Sequence, residues 1–248
     1  MVSRVALGNS TQMEEKFSQV LKIIGEELKV LRMNDLTMTK GIATAVAKMM
    51  SENKKMLELD LRRASLSTAV VKEVADGLMR AKQLEVIKLS GNPYMDYGVN
   101  YVLYILAFSP RISLIDISDT VVNQRKDETA EALYKLIKIS GSLETLALNR
   151  TAIMQSLTTD FWRALGENVS LRHLLMDSSR LGLSAISNLG RFVALNAFKK
   201  GSLNLLSLRN CFQNYSSVRS FIDSMSVSEA DHEREYGERS EAEKMSGT

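Results

Sequence analysis

Two histidines, His173 and His232, and one cysteine, Cys211, are all the imidazole and thiol chemistry in this 248-residue chain. That stock excludes the HExxH and paired CxxC spacings that hold zinc, and no GxxxxGKS/T or GxGxxG loop is present to cradle a phosphate. His173 and Asp177 are placed by an extended pattern on one face, where the carboxylate could orient the imidazole. No serine or cysteine nucleophile is implied beside them, so a triad is not supported, and the plain reading of His173 is an ordinary polar contact. No catalytic residue, metal ligand or cofactor is expected, and the chain reads as a non-enzyme. Recognition chemistry is better supplied. Arg32, Asp60, Lys88 and Asp116 recur every 28 residues, flanked by Glu58, Arg62 and Arg209.

What positions them is an internal repeat, to be sought before single motifs. Leu84, Ile87, Leu89 and Asn92 fit LxxLxLxxN, and the frame recurs from Leu28, Met56, Ile112, Leu143, Leu171 and Leu203, with a partial copy at Val2. Counting each repeat's first residue as position 0, positions 3 and 5 are apolar and point to one face of a short strand, because strand side chains alternate. Position 8 holds Leu36, Ala64, Asn92, Thr120, Thr151, Ser179 and Cys211, mostly small or polar, as suits a tight turn. Positions 14, 18 and 22 then follow helical spacing, as in Ile42, Val46 and Met50 or Val70, Val74 and Leu78. The copy from Ile112 needs a three-residue insertion near Asn123 to Asp127 before Leu133 and Ile137 fall into place. No unit can bury both its apolar strand face and its helix stripe alone, so stability must come from stacked neighbours.

This pattern resembles the intracellular, ribonuclease-inhibitor type of leucine-rich repeat over nearly all of residues 1–226. The resemblance implies an α/β horseshoe, with a parallel sheet lining the concave side and helices on the convex side. Within it, RVALGN and SLIDISDT resemble parts of the actin-regulating CARMIL and tropomodulin proteins. Position 8 departs from the family's preference except at Asn92 and Cys211, so several turns are expected to be irregular.

The resemblance places ligands on the concave sheet. Arg32, Glu58, Asp60, Arg62, Lys88, Asp116, His173, Asp177 and Arg209 are the candidate partner contacts there, sharing the face with Val30, Val86, Leu114, Leu175 and Leu205. Two readings stay open: a self-satisfied charge ladder that keeps an exposed sheet soluble, or a recognition stripe. The row Tyr97, Tyr101, Tyr104 and Phe108 either packs against the neighbouring helix or forms a convex docking patch. Two functions follow. One is a protein-binding scaffold, adaptor or inhibitor. The other is a regulator, either an actin-regulatory module or a small-GTPase activator, since Ran GTPase-activating protein shares this repeat type.

Composition narrows the partners. The net charge is +3, but residues 227–248 carry seven acids and three bases, which leaves +7 on residues 1–226. The uniform basic stripe that a phosphate backbone favours is missing, so nucleic acid is not expected. The longest apolar runs fall short of a membrane span, so no membrane partner is expected. One cysteine and no signal-peptide core suggest the cytoplasm. Val2, Val5, Leu7 and Ser10 open the chain inside a repeat, so either it is part of a longer chain or another subunit caps that edge. Ser216 to Met225 is expected to close the solenoid as a helix, and 227–248 to be a disordered acidic tail.

Overall fold

Short apolar triplets followed by amphipathic stretches give alternating strands and helices. A computed structural model of the chain describes residues 10–92, 98–120, 126–198 and 201–226. The first helix is α1 (Ser10–Ile24), followed by β1 (Val30–Arg32), α2 (Lys40–Glu52), β2 (Glu58–Asp60), α3 (Thr68–Leu78) and β3 (Val86–Lys88). Next come α4 (Val99–Ala107), β4 (Leu114–Asp116), α5 (Lys126–Ile139), β5 (Thr145–Ala147) and α6 (Thr159–Glu167). The order ends with β6 (His173–Leu175), α7 (Leu183–Phe198), β7 (Leu205–Ser207) and α8 (Tyr215–Met225). The seven strands form one parallel sheet in chain order. Its register sets Leu31, Leu59, Ile87, Ile115, Leu146, Leu174 and Leu206 side by side, so position 3 of the repeat is one straight row.

Burial shows which face is covered. Leu59, Ile87, Ile115, Leu146 and Leu174 are fully buried, whereas most of their neighbours at positions 2 and 4 reach solvent. The helices therefore lie on the position-3 side alone. Strands repeat at about 4.8 Å and packed helices at about 8–10 Å, so the stack must curve with its sheet inside. This is a leucine-rich-repeat solenoid. The expected helix stripes are buried in it, including Val46, Val74, Val102, Leu133, Phe161 and Leu189. Gly98 sits on that stripe because a Cβ there would come within 2.6 Å of Val71. Leu206 is only partly buried, although the sequence places it in the continuous core, because β7 packs against a strand on one side only.

The turns after the strands share one left-handed position, and the copy from Met56 departs from the rest by a second left-handed residue, Ser65 at φ 52°. Position 7 is left-handed in all seven described copies: Asp35, Arg63, Gly91, Asp119, Arg150, Ser178 and Asn210 have φ between 52° and 71°. The backbone imposes this turn whatever occupies position 8, because neighbouring turns bond to each other. Asp35 N–H donates to the Arg62 carbonyl, Arg63 to Ser90, and Gly91 to Ser118, each at 2.9 Å. From Ala64 on, position 8 then fills the space beneath, whereas Leu36 of the first described copy is exposed. Asn92 is fully buried, accepting from Ala64 N–H at 3.0 Å and donating to Leu61 and Leu89 carbonyls at 2.9 and 2.7 Å. Thr120, Thr151 and Ser179 reach one carbonyl each, and Cys211 Sγ donates to Met176 at 2.9 Å.

A second brace, not anticipated from the sequence, holds two of the turns from helix back to strand. Asn53 Oδ1 accepts the Lys55 and Met56 N–H groups at 2.6 Å while its amide donates to the Gly25 and Leu28 carbonyls. Asn168, at the same repeat position four repeats further on, does likewise, donating to Ile137 and accepting from Ser170 and Leu171. Thr39, Thr158 and Asn214 cap α2, α6 and α8 with their side-chain oxygens. Ser10, read as a turn residue of a partial repeat, instead begins α1. Val2, Val5, Leu7, Asn123 and the tail 227–248 lie outside the described residues.

Candidate partner-binding face

The uncovered face of the sheet carries positions 2 and 4 of every strand, with position 6 just beyond. Arg32, Glu58, Asp60, Lys88, Asp116, His173 and the flanking Arg62, Asp177 and Arg209 all fall on this side, in the register expected. Their partners are not the ones a straight alternating row would give. Glu58 on β2 accepts both Arg32 Nε and Nη2 at 3.2 Å from β1, and Lys88 Nζ at 3.0 Å from β3. Asp60, directly between Arg32 and Lys88 in register, is taken instead by Arg62 of its own chain segment. Arg62 donates to it through Nε at 2.9 Å and Nη2 at 2.6 Å. Long side chains reach a diagonal neighbour as easily as an opposite one, so charge alternation in register does not decide pairing.

Electrostatics follow from these bonds. The Arg32 guanidinium holds the Glu58 carboxyl below its ordinary value, burial opposes this, and Lys88 adds to the lowering. Burial pushes Asp60 up, but its bonds from Arg62 outweigh that and leave it lowered. The Asp60 side chain is wholly enclosed although it stands on the open face. Reversing its charge would therefore disturb the fold itself and not merely a surface.

Strands β5–β7 differ. Thr145, Ala147, Leu175, Leu205 and Ser207 fill positions 2 and 4, with His173 the one titratable side chain. His173 and Asp177 are not brought together. His173 Nδ1 meets Thr145 Oγ1 at 3.0 Å on β5, whereas Asp177 accepts Ser207 Oγ at 2.6 Å and Arg209 N–H at 2.9 Å from β7. The Ser207 hydrogen bond, against some burial, lowers Asp177 from the ordinary carboxylate value. Leu205 is 48% exposed, and the Arg209 side chain is exposed at the rim.

On the helical side, Tyr104 packs against the core and lies under Lys135 Nζ at 4.9 Å, so it does contact the next helix. Tyr101 is exposed, and Tyr97 lies outside the described residues. Phe108 does not pack on the neighbouring helix; it is the C-cap of α4, past the last turn that could bury it, and is 68% exposed. Among the described residues, no group of three or more His, Cys, Asp or Glu is placed to hold a metal ion. None of the described helices is long and apolar enough to cross a membrane. Burial raises the Cys211 thiol above its ordinary pKa, which keeps it protonated and unreactive.

No family model and no curated protein matches this sequence. Among solved structures it is similar to the tropomodulin C-terminal domain of Caenorhabditis elegans. The two share 12% identity with a TM-score of 0.46, over 75% of this chain and 95% of that one.

Proposed function

We propose that the chain is a non-catalytic module that binds a protein partner on the open face of its sheet, anchored on β5–β7. One observation carries this reading: the sheet is covered on one face only, and its bare face exposes Leu205 and partly exposes Leu175 beside an exposed Arg209. Apolar anchors ringed by hydrogen-bonding groups, with arginine at the rim, are what a protein interface uses at its centre. Apart from Asp116, which accepts the Ser118 N–H, the charges of β1–β4 already pair with cations or carboxylates of their own face, so they contribute orientation and on-rate more than affinity.

The test is capture of a partner by the wild-type chain and by Leu175→Glu/Leu205→Glu. Both substitutions sit on the open face, so the melting temperature should hold while capture is lost. Retention of the same partner by the variant would move the site off the sheet. Actin is the first candidate to try, on the resemblance of SLIDISDT, and co-sedimentation with filaments decides that identity separately. In this fold SLIDISDT forms β4 and its turn, with Ile115 and Ile117 buried, so framework needs account for much of that segment.

A further inference from the structure

The turns from each helix back to the next strand lie side by side along one edge of the solenoid. Lys55 of one turn pairs with Glu27 of the turn before, Arg111 donates to Gln83, and the Ser142 hydroxyl donates to the Ile112 carbonyl at 2.9 Å. Four consecutive turns along this edge each raise one apolar side chain into water. These are Met79, Phe108, Ile139 and Val169, exposed by 46%, 68%, 45% and 83%. The same turns carry exposed Arg80, Lys82, Arg111, Lys138 and Arg172, five cations against the three carboxylates Glu85, Glu144 and Glu167, of which Glu144 faces Arg172 at 4.0 Å. Neither Arg80 nor Lys82 has a carboxylate partner among the described residues.

Isolated apolar tips of this exposure cost solubility and do nothing for the core. Set in a row and interleaved with cations, they match a flat interface that is apolar beneath and negatively charged above. We propose that this edge docks peripherally on an anionic lipid surface, its four apolar tips entering the interface and its cations meeting the headgroups. Four adjacent turns span roughly 15–30 Å between strand and helix spacings, a footprint of several headgroups. A protein partner would need a shape complementary to a row of separate tips, whereas a lipid interface accepts each tip wherever it falls. This proposal is independent of the open sheet face, which it leaves free.

The experiment is co-sedimentation of the full chain with vesicles of phosphatidylcholine alone, or with phosphatidylserine added. Binding is expected only with phosphatidylserine and should fade as salt rises. Each cation near an anionic surface is worth about fivefold in partitioning, so Arg80→Glu/Lys82→Glu should lower it by at least about 25-fold. Phe108→Ser/Val169→Ser should also lower it while leaving the salt dependence as in wild type. Failure to bind phosphatidylserine vesicles above the phosphatidylcholine level overturns the proposal. So does wild-type partitioning by either double variant. Soluble poly-glutamate completes the test: if it binds as tightly as the vesicles and the Phe108/Val169 variant behaves as wild type, the edge serves an acidic polypeptide and not a lipid surface.

Discussion

On β1–β4, positions 2 and 4 hold Arg32, Glu58, Asp60, Lys88 and Asp116 among Val30, Val86 and Leu114; on β5–β7 the same positions hold only His173 among Thr, Ala, Leu and Ser. The backbone beneath is nearly the same in both regions, with one register and a left-handed residue at position 7 of each repeat, to which the Met56 copy adds a second at Ser65. The difference is confined to what the exposed side chains do for each other. In the first region all but Asp116 close into ion pairs, with Glu58 bridging three strands. In the second they are too short or too apolar to do so, and the face stays open to a partner. A bare parallel sheet has to solve its exposure locally, and this one does so by two means in one molecule.

Four experiments would break or sharpen that contrast. Leu89→Ala beneath the first region and Leu148→Ala beneath the second remove fully or almost fully buried side chains. Each should cost about 2–5 kcal/mol in denaturant melts. Similar losses would confine the difference to the surface; a much larger loss at one site would show two unlike cores. Next, Arg62→Ala leaves the enclosed Asp60 carboxylate short of its main donor and should cost about 1–3 kcal/mol, softened by water that enters with the smaller side chain. Its counterpart Ser207→Ala, which deletes a neutral donor to Asp177, should cost no more than about 1 kcal/mol.

Third is the acid response. Glu58, Asp60 and Asp177 all have folded-state pKa values below their ordinary ones. The unfolded chain therefore binds more protons as pH falls, so the stability these groups add at neutral pH is lost on passing down through the carboxylate range. Glu58→Gln should flatten that loss more than Asp177→Asn, because cations and not neutral donors hold Glu58; equal slopes would mean the ion pairs of β1–β4 add nothing. The smallest effect is expected at Ser178, left-handed at φ 56° with its side chain exposed. Ser178→Gly should raise stability by about 0.5–1 kcal/mol, the relief of the left-handed penalty less glycine's extra freedom in the unfolded chain.

The repeat frame was legible because burial recurs wherever the geometry does: Leu59, Ile87 and Ile115 are apolar for one shared reason. The left-handed position was only half marked: Asp35, Gly91, Asp119 and Asn210 are types that tolerate that region, but Arg63, Arg150 and Ser178 are not, and the bonds between neighbouring turns dictate their φ. Nor were the ion pairs, since sequence spacing places Asp60 between Arg32 and Lys88 but says nothing of Arg62 folding back over it. The exposed edge was missed because, apart from Phe108 and Ile139, its members Met79 and Val169 occupy different positions in the helix-to-strand turn and the row shows no constant period. Phe108 even continues the helical row of Tyr101 and Tyr104, and only the end of α4 at Ala107 frees it.

Every described pairing in the sheet joins residues 28, 31 or 32 apart, and among the described residues no strand pairs beyond its neighbour in sequence. Drawn out by the two ends of the described solenoid, these strands offer no long-range clamp that must shear before the rest gives way. Tension would peel it one repeat at a time from either end, each event releasing roughly 90–110 Å of chain. The trace should be a sawtooth of near-equal steps at low force, and a partner or surface gripping several turns at once would merge those steps into one.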